Sequence, residues 1–157
     1  KKNFENDDYV ADKIKKIKRT ATIDFPTDDG DLVSFKIESR SQSVIDEINA
    51  KYESKKPKVP TKRLPSVNGK VKIVEDTNDP EYKAKLAEVQ KLNFAELALA
   101  FLAEEERPEG TLEEQIQQIL EVELAGFIPK IVERGLEISG LIDEKNYDEE
   151  VEEAKNN

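Results

Sequence analysis

The sequence predicts an α+β fold: a small N-terminal antiparallel strand unit with a helix, followed by an antiparallel helical cluster. Three observations carry this. Apolar and polar residues alternate strictly in two runs between Thr20 and Glu38, the period of half-buried strands. Apolar residues then recur at helical spacing through most of the second half. The order hairpin, helix, third strand, helices is that of an α+β chain. Four regions follow: a polar, basic leader (1–19), a small α+β unit (20–75) with a Pro-rich connector at 53–70, a helical region (79–142), and an acidic tail (143–157) predicted to be disordered.

In the leader, Lys13, Lys15, Lys16, Lys18 and Arg19 form a basic cluster. Val10, Ile14 and Ile17 have helical spacing, so a short helix with a solvated basic face is expected. In the hairpin, Ala21, Ile23 and Phe25 alternate with Thr20, Thr22 and Asp24. Val33, Phe35 and Ile37 alternate with Ser34, Lys36 and Glu38. Pro26 stops the first strand and Asp29-Gly30 makes the turn. Asp28, Asp29 and Asp31 lack the spaced ligands and distant Glu of a calcium loop and read as a solvated turn. Ser41 or Ser43 caps the next helix. Its stripe of Val44, Ile45, Ile48 and Tyr52 is expected to lie on the hairpin face made by Ile23, Phe25, Phe35 and Ile37.

The connector carries Pro57, Pro60 and Pro65, which remove backbone donors and favour extended chain. Asn68-Gly69 marks a turn, and Val71 and Ile73 a short third strand. Asp79-Pro80-Glu81 then starts a long helix: a capping carboxylate, a proline suited to the first turn, and an acid at the positive end of the dipole. That helix is expected to run from Pro80 to about Glu106. Leu92–Leu102 is apolar nearly all round and must be surrounded by protein, whether this chain's own core or a partner. Thr111-Leu112-Glu113-Glu114 is a capping box opening a helix with Leu112, Ile116, Ile119, Leu120 and Leu124. Gly126 breaks it, and Pro129 starts another with Ile131, Val132, Leu136, Ile138, Leu141 and Ile142.

The 157 residues suit one modest domain, with 36% hydrophobic against 38% charged residues, so the apolar ones must cluster. Cysteine and histidine are absent, which removes disulfides, the commonest metal ligands and the commonest general acid-base. Glu104–Glu106 and Glu113-Glu114 fall at helix ends and carry no sign of the burial or coupling a catalytic carboxyl needs. There is no Walker loop, dinucleotide turn or nucleophile elbow. The sequence therefore predicts a chain that is not an enzyme, with no catalytic residue, no cofactor and no metal. Net charge is −10, and residues 104–157 hold 17 acids against 5 bases, which repels phosphate and argues against nucleic acid as a partner. With no apolar run of spanning length and no signal-peptide pattern, a soluble cytoplasmic protein is expected, with no membrane partner.

Several pieces in order resemble the tail assembly chaperones of long-tailed phages and prophage-like elements of Gram-positive bacteria. They are a strand-rich head, a helix ending in Asn49-Ala50-Lys51-Tyr52, and the connector Pro57-Lys58-Val59-Pro60. Asn68-Gly69-Lys70-Val71 follows, then the helix opening Asp79-Pro80-Glu81-Tyr82 with the apolar helix behind it. The likeness spans roughly 20–140. It implies a non-enzymatic protein that binds a long helical tape measure protein in the bacterial host cell. There it keeps that protein soluble while the tail tube polymerises. Phe94, Leu97, Phe101, Ile116, Leu120 and Leu136 are the candidate partner contacts, and self-association is a second contact that such apolar helices could make. Two other readings stand beside it. One is a structural adaptor or tail-completion protein retained in the particle. The other is a regulatory nucleic-acid-binding protein using Lys13–Arg19.

Overall fold

The computed structural model describes residues 4–66 and 68–144. The tail beyond Glu144, for which disorder is expected, lies outside the described residues. In chain order the elements are α1 (Phe4–Lys15), β1 (Thr20–Pro26), β2 (Leu32–Glu38), α2 (Gln42–Glu53), β3 (Thr61–Pro65), β4 (Val71–Glu75), α3 (Pro80–Phe101), α4 (Leu112–Leu120) and α5 (Phe127–Ile138), with a short 3-10 turn at Glu104–Glu106. The α+β class follows directly: two separate two-stranded antiparallel sheets, β1-β2 and β3-β4, stand beside the helices.

The first hairpin follows its alternation. Ala21 pairs with Ile37, Ile23 with Phe35 and Phe25 with Val33. Phe25 and Ile37 are buried, with Ile23 and Phe35 half-buried on the same face. The Gly30 N–H donates to the Thr27 carbonyl (3.0 Å), with Gly30 at φ +82°. That left-handed conformation is what a glycine supplies without steric cost.

The packing partners differ from expectation. The stripe on α2 does not lie across the hairpin; α2 packs against α3, burying Ile45, Ile48 and Tyr52, while Val44 stays at the margin. The hairpin face is covered instead by α5. The Phe127 ring lies 4.9 Å from Phe25 and 5.3 Å from Phe35, centroid to centroid. The reason is α3. Its second half is apolar all round and serves as the central helix, with α2, α4 and α5 all against it and Ala95, Leu97, Ala98, Leu99 and Phe101 buried. One core therefore joins the strand unit and the helical region across residues 75–79. α3 and α5 approach so closely that a Cβ on Gly135 would come within 2.2 Å of the Phe101 ring.

The long helix ends at Phe101, five residues short of Glu106. Leu102 is extended (φ −62°, ψ 137°) and bridges to Ile37, and the Ala103 N–H donates to the Lys36 carbonyl (3.0 Å). The freed carbonyls at this helix end are taken by arginines. Arg40 donates to Ala100 O and Leu102 O, and Arg107 donates to the same two oxygens at 3.4 and 3.1 Å. Two guanidinium groups at the negative end of the macrodipole replace the missing helical turn.

The connector at 53–70 is also more structured than expected. Thr61–Pro65 forms β3 and pairs with β4, with Asn68-Gly69 at the turn and Gly69 at φ +76°. The third strand thus belongs to a second ribbon rather than to the first hairpin. Three caps are as read. Ser41 Oγ accepts from the Val44 N–H, Asp79 from Tyr82, and Thr111 from Glu114. α4 stops at Leu120, leaving Leu124 in a turn, and α5 begins at Phe127, two residues before Pro129.

Candidate protein-binding surface

The six residues singled out as partner contacts separate into three groups. Leu97, Phe101 and Ile116 are inside the chain's own core, at 6%, 0% and 5% exposure, and offer a partner no surface in the folded state. Leu120 and Leu136 are half-buried and pack against that core. Phe94 is 51% exposed, although it sits in the most apolar stretch of α3. The expectation that Leu92–Leu102 must be enclosed is thus met almost entirely by this chain, with Phe94 turned outward.

Phe94 is one end of an apolar band. Between α4 and α5 the chain turns through 121–126, and Val122 and Leu124 stand exposed on it. The turn is fixed by its backbone: the Glu121 N–H donates to Gln117 O (3.1 Å) and the Phe127 N–H to Leu124 O (3.0 Å). On one side lies a cleft of about 270 Å³, lined by Phe94, Leu120, Val122, Leu124 and Ile128 among others. On the other side lies a cleft of about 230 Å³ against the hairpin, lined by Phe25, Val33, Phe35 and again Val122, Leu124 and Phe127. The turn is a ridge between two apolar depressions. Each cleft has one charged residue in its lining, Lys91 in the first and Glu123 in the second.

Adjacent apolar clefts of this size accept bulky side chains from an amphipathic helix, whose residues three and four apart project on one face. Phe94 and Leu120 were legible in advance. Val33, Val122, Leu124 and Ile128 were not. A signal existed for Val122 and Leu124: they are large apolar residues just ahead of Gly126, which is read as the break between the two helices, so they sit near a turn rather than within a stripe.

Away from the clefts, one polar constellation holds the fold. Glu96, 9% exposed, accepts through Oε1 from the Tyr52 hydroxyl (2.8 Å) and from Lys51 Nζ (2.7 Å), which ties α2 to α3. Burial, and then the Glu96 carboxylate, push the Tyr52 phenol well above its ordinary range. Burial and the neighbouring Arg40 lower Arg107 from its usual value. A depression of about 540 Å³ is lined by Lys130, Glu133, Arg134 and Glu137 beside β1, with Arg134 Nη1 3.1 Å from the buried Glu137. Lys13, Lys15, Lys16, Lys18 and Arg19 are exposed along α1 and the residues that follow it, with Val10, Ile14 and Ile17 exposed as well. Among the described residues there is no group of three or more His, Cys, Asp or Glu side chains able to hold a metal, and no helix is long and apolar enough to cross a membrane. Compared with protein-family models, with curated proteins and with solved structures, the chain finds no match in any of the three.

Proposed function

We propose that this chain is a non-enzymatic binding protein that holds an apolar helical segment of a partner, and that the partner is a tape-measure-like protein kept soluble before tail assembly. The observation that supports the reading is the paired clefts on either side of Val122 and Leu124, bounded by the outward-facing Phe94. A helical partner laid across the ridge would place side chains in both depressions and shield them from water. Each fully buried aliphatic side chain contributes about 1.5–3 kcal/mol, so a few anchors suffice for useful affinity. The acidic surface elsewhere limits self-association while the apolar band is free.

Co-expression tests this. A long helical tape-measure-like protein is expected to precipitate alone and to stay in the supernatant when this chain is present. The chain is expected to be missing from purified particles. If the partner stays insoluble, the chaperone reading fails. If the chain instead remains at fixed stoichiometry in purified tails, it is an adaptor.

A further inference from the structure

The ribbon β3-β4 has properties that the clefts do not use. Residues 55–72 contain seven Lys and Arg and no acid, in a chain whose net charge is −10. Lys56 meets Glu53 at 2.7 Å and Lys62 meets Asp76 at 3.8 Å. Among the described residues, no carboxylate lies within 4.0 Å of Lys58, Arg63, Lys70 or Lys72. The ribbon is also open: every residue of β3 is exposed, and Leu64, Val71 and Ile73 are 41%, 58% and 64% exposed. A two-stranded sheet with neither face covered is marginal by itself.

We propose that the free edge of β4 receives an extended segment of a partner protein in which acidic and apolar residues alternate. The register gives the pattern. Arg63 lies opposite Ile73 and Pro65 opposite Val71 on one face; Leu64 lies opposite Lys72 and Lys62 opposite Val74 on the other. On β4 itself Val71 and Ile73 share one face, with Glu75 at its end opposite Thr61, and Lys72 shares the other with Val74, so an added strand that alternates would set apolar side chains beside Val71 and Ile73 and acids beside Lys72. The edge is chosen by proline. β3 ends in Pro65 and follows Pro60, which lack N–H donors, whereas Val71–Glu75 has none. Strand addition supplies main-chain hydrogen bonds, and the alternating side chains supply the selection. Nucleic acid would use the cations but would leave Val71 and Ile73 without a role.

The test uses the full chain and three fluorescent probes: a short peptide alternating Glu and Val, its Lys-Val counterpart, and random-sequence duplex DNA. The Glu-Val peptide is expected to bind at low salt and the Lys-Val peptide not to. Combined Arg63→Glu, Lys70→Glu and Lys72→Glu substitution, at solvated positions, is expected to weaken Glu-Val binding by about tenfold or more with the thermal midpoint unchanged. N-methylation of alternate peptide amides is expected to abolish binding, because it removes the ladder. The proposal is overturned if the Glu-Val peptide does not bind, if the charge-reversed chain binds it equally, or if N-methylation has no effect. Duplex DNA binding more tightly than the peptide, and lost on charge reversal, would assign the ribbon to nucleic acid instead.

Discussion

Glu96 is where α2 and α3 are locked together, and its partners make the lock sensitive to pH. The neutral Tyr52 hydroxyl donates to the carboxylate, so ionising the phenol would set two negative charges against each other in a buried place. Burial first, and then this carboxylate, raise the phenol in the folded chain. A raised group contributes stability that is fully present below its unfolded value, about pH 10, and is lost as pH climbs past it. Tyr52→Phe is expected to flatten that alkaline loss, read as the slope of unfolding free energy against pH above 10. Gly135 teaches a different lesson. Within a helical pattern a glycine reads as a weak point costing about 1 kcal/mol against alanine. Here the Phe101 ring fills the space a Cβ would need. Gly135→Ala is expected to destabilise by about 1–3 kcal/mol in chemical denaturation, overpacking outweighing the propensity gain. Nothing local in the sequence announces that contact, because Phe101 is on another helix. Arg40 was equally hidden: the carbonyls it serves, at Ala100 and Leu102, are some sixty residues away in sequence.

The caps at Ser41, Asp79-Pro80 and Thr111 were legible because a cap is settled within four residues. The hairpin register was legible because alternation and a glycine turn fix it together. What packs on what was not, since apolar burial has no direction. The α2 stripe and the hairpin face are both apolar and adjacent in sequence, yet each found a different helix. Ile48→Asp is still expected to unfold the protein, because it would bury an unpaired charge. The structure changes where the damage falls. Loss should appear first as detachment of α2 from α3, and Phe25 and Phe35 should keep their contact with Phe127 longest. Amide exchange along α2 and along β1-β2 checks the order. Of the second ribbon, the Asn68-Gly69 turn and β4 were legible, while β3 escaped the sequence because three prolines outweighed its strand signal. Two of them, Pro60 and Pro65, stand at the margins of β3, where a missing donor is tolerated.

The β1-β2 hairpin and helices α2 to α5 behave as one packing unit. Phe25, Ile37, Ile45, Ile48 and Tyr52 share a core with Leu97, Phe101, Ile131 and Val132. The division at 75–79, natural in the sequence, crosses that core rather than bounding it. A fragment of residues 1–77 is therefore expected to lack a cooperative melting transition, while the full chain unfolds in a single one. α1 and the β3-β4 ribbon stand apart from this core, with the described side chains of α1 all exposed. The candidate surface lies between these extremes, on a turn rigidly held by core helices. The chain contains no cysteine, so a thiol can be placed at will. With Leu124→Cys carrying a photo-crosslinker, a tape-measure-like helical partner is expected to be captured at low and high salt alike, because apolar burial is not screened. The same label at the exposed Glu47 on α2 is expected to capture none. Equal capture at both positions, or capture at Glu47 alone, would contradict binding through the clefts beside Val122 and Leu124.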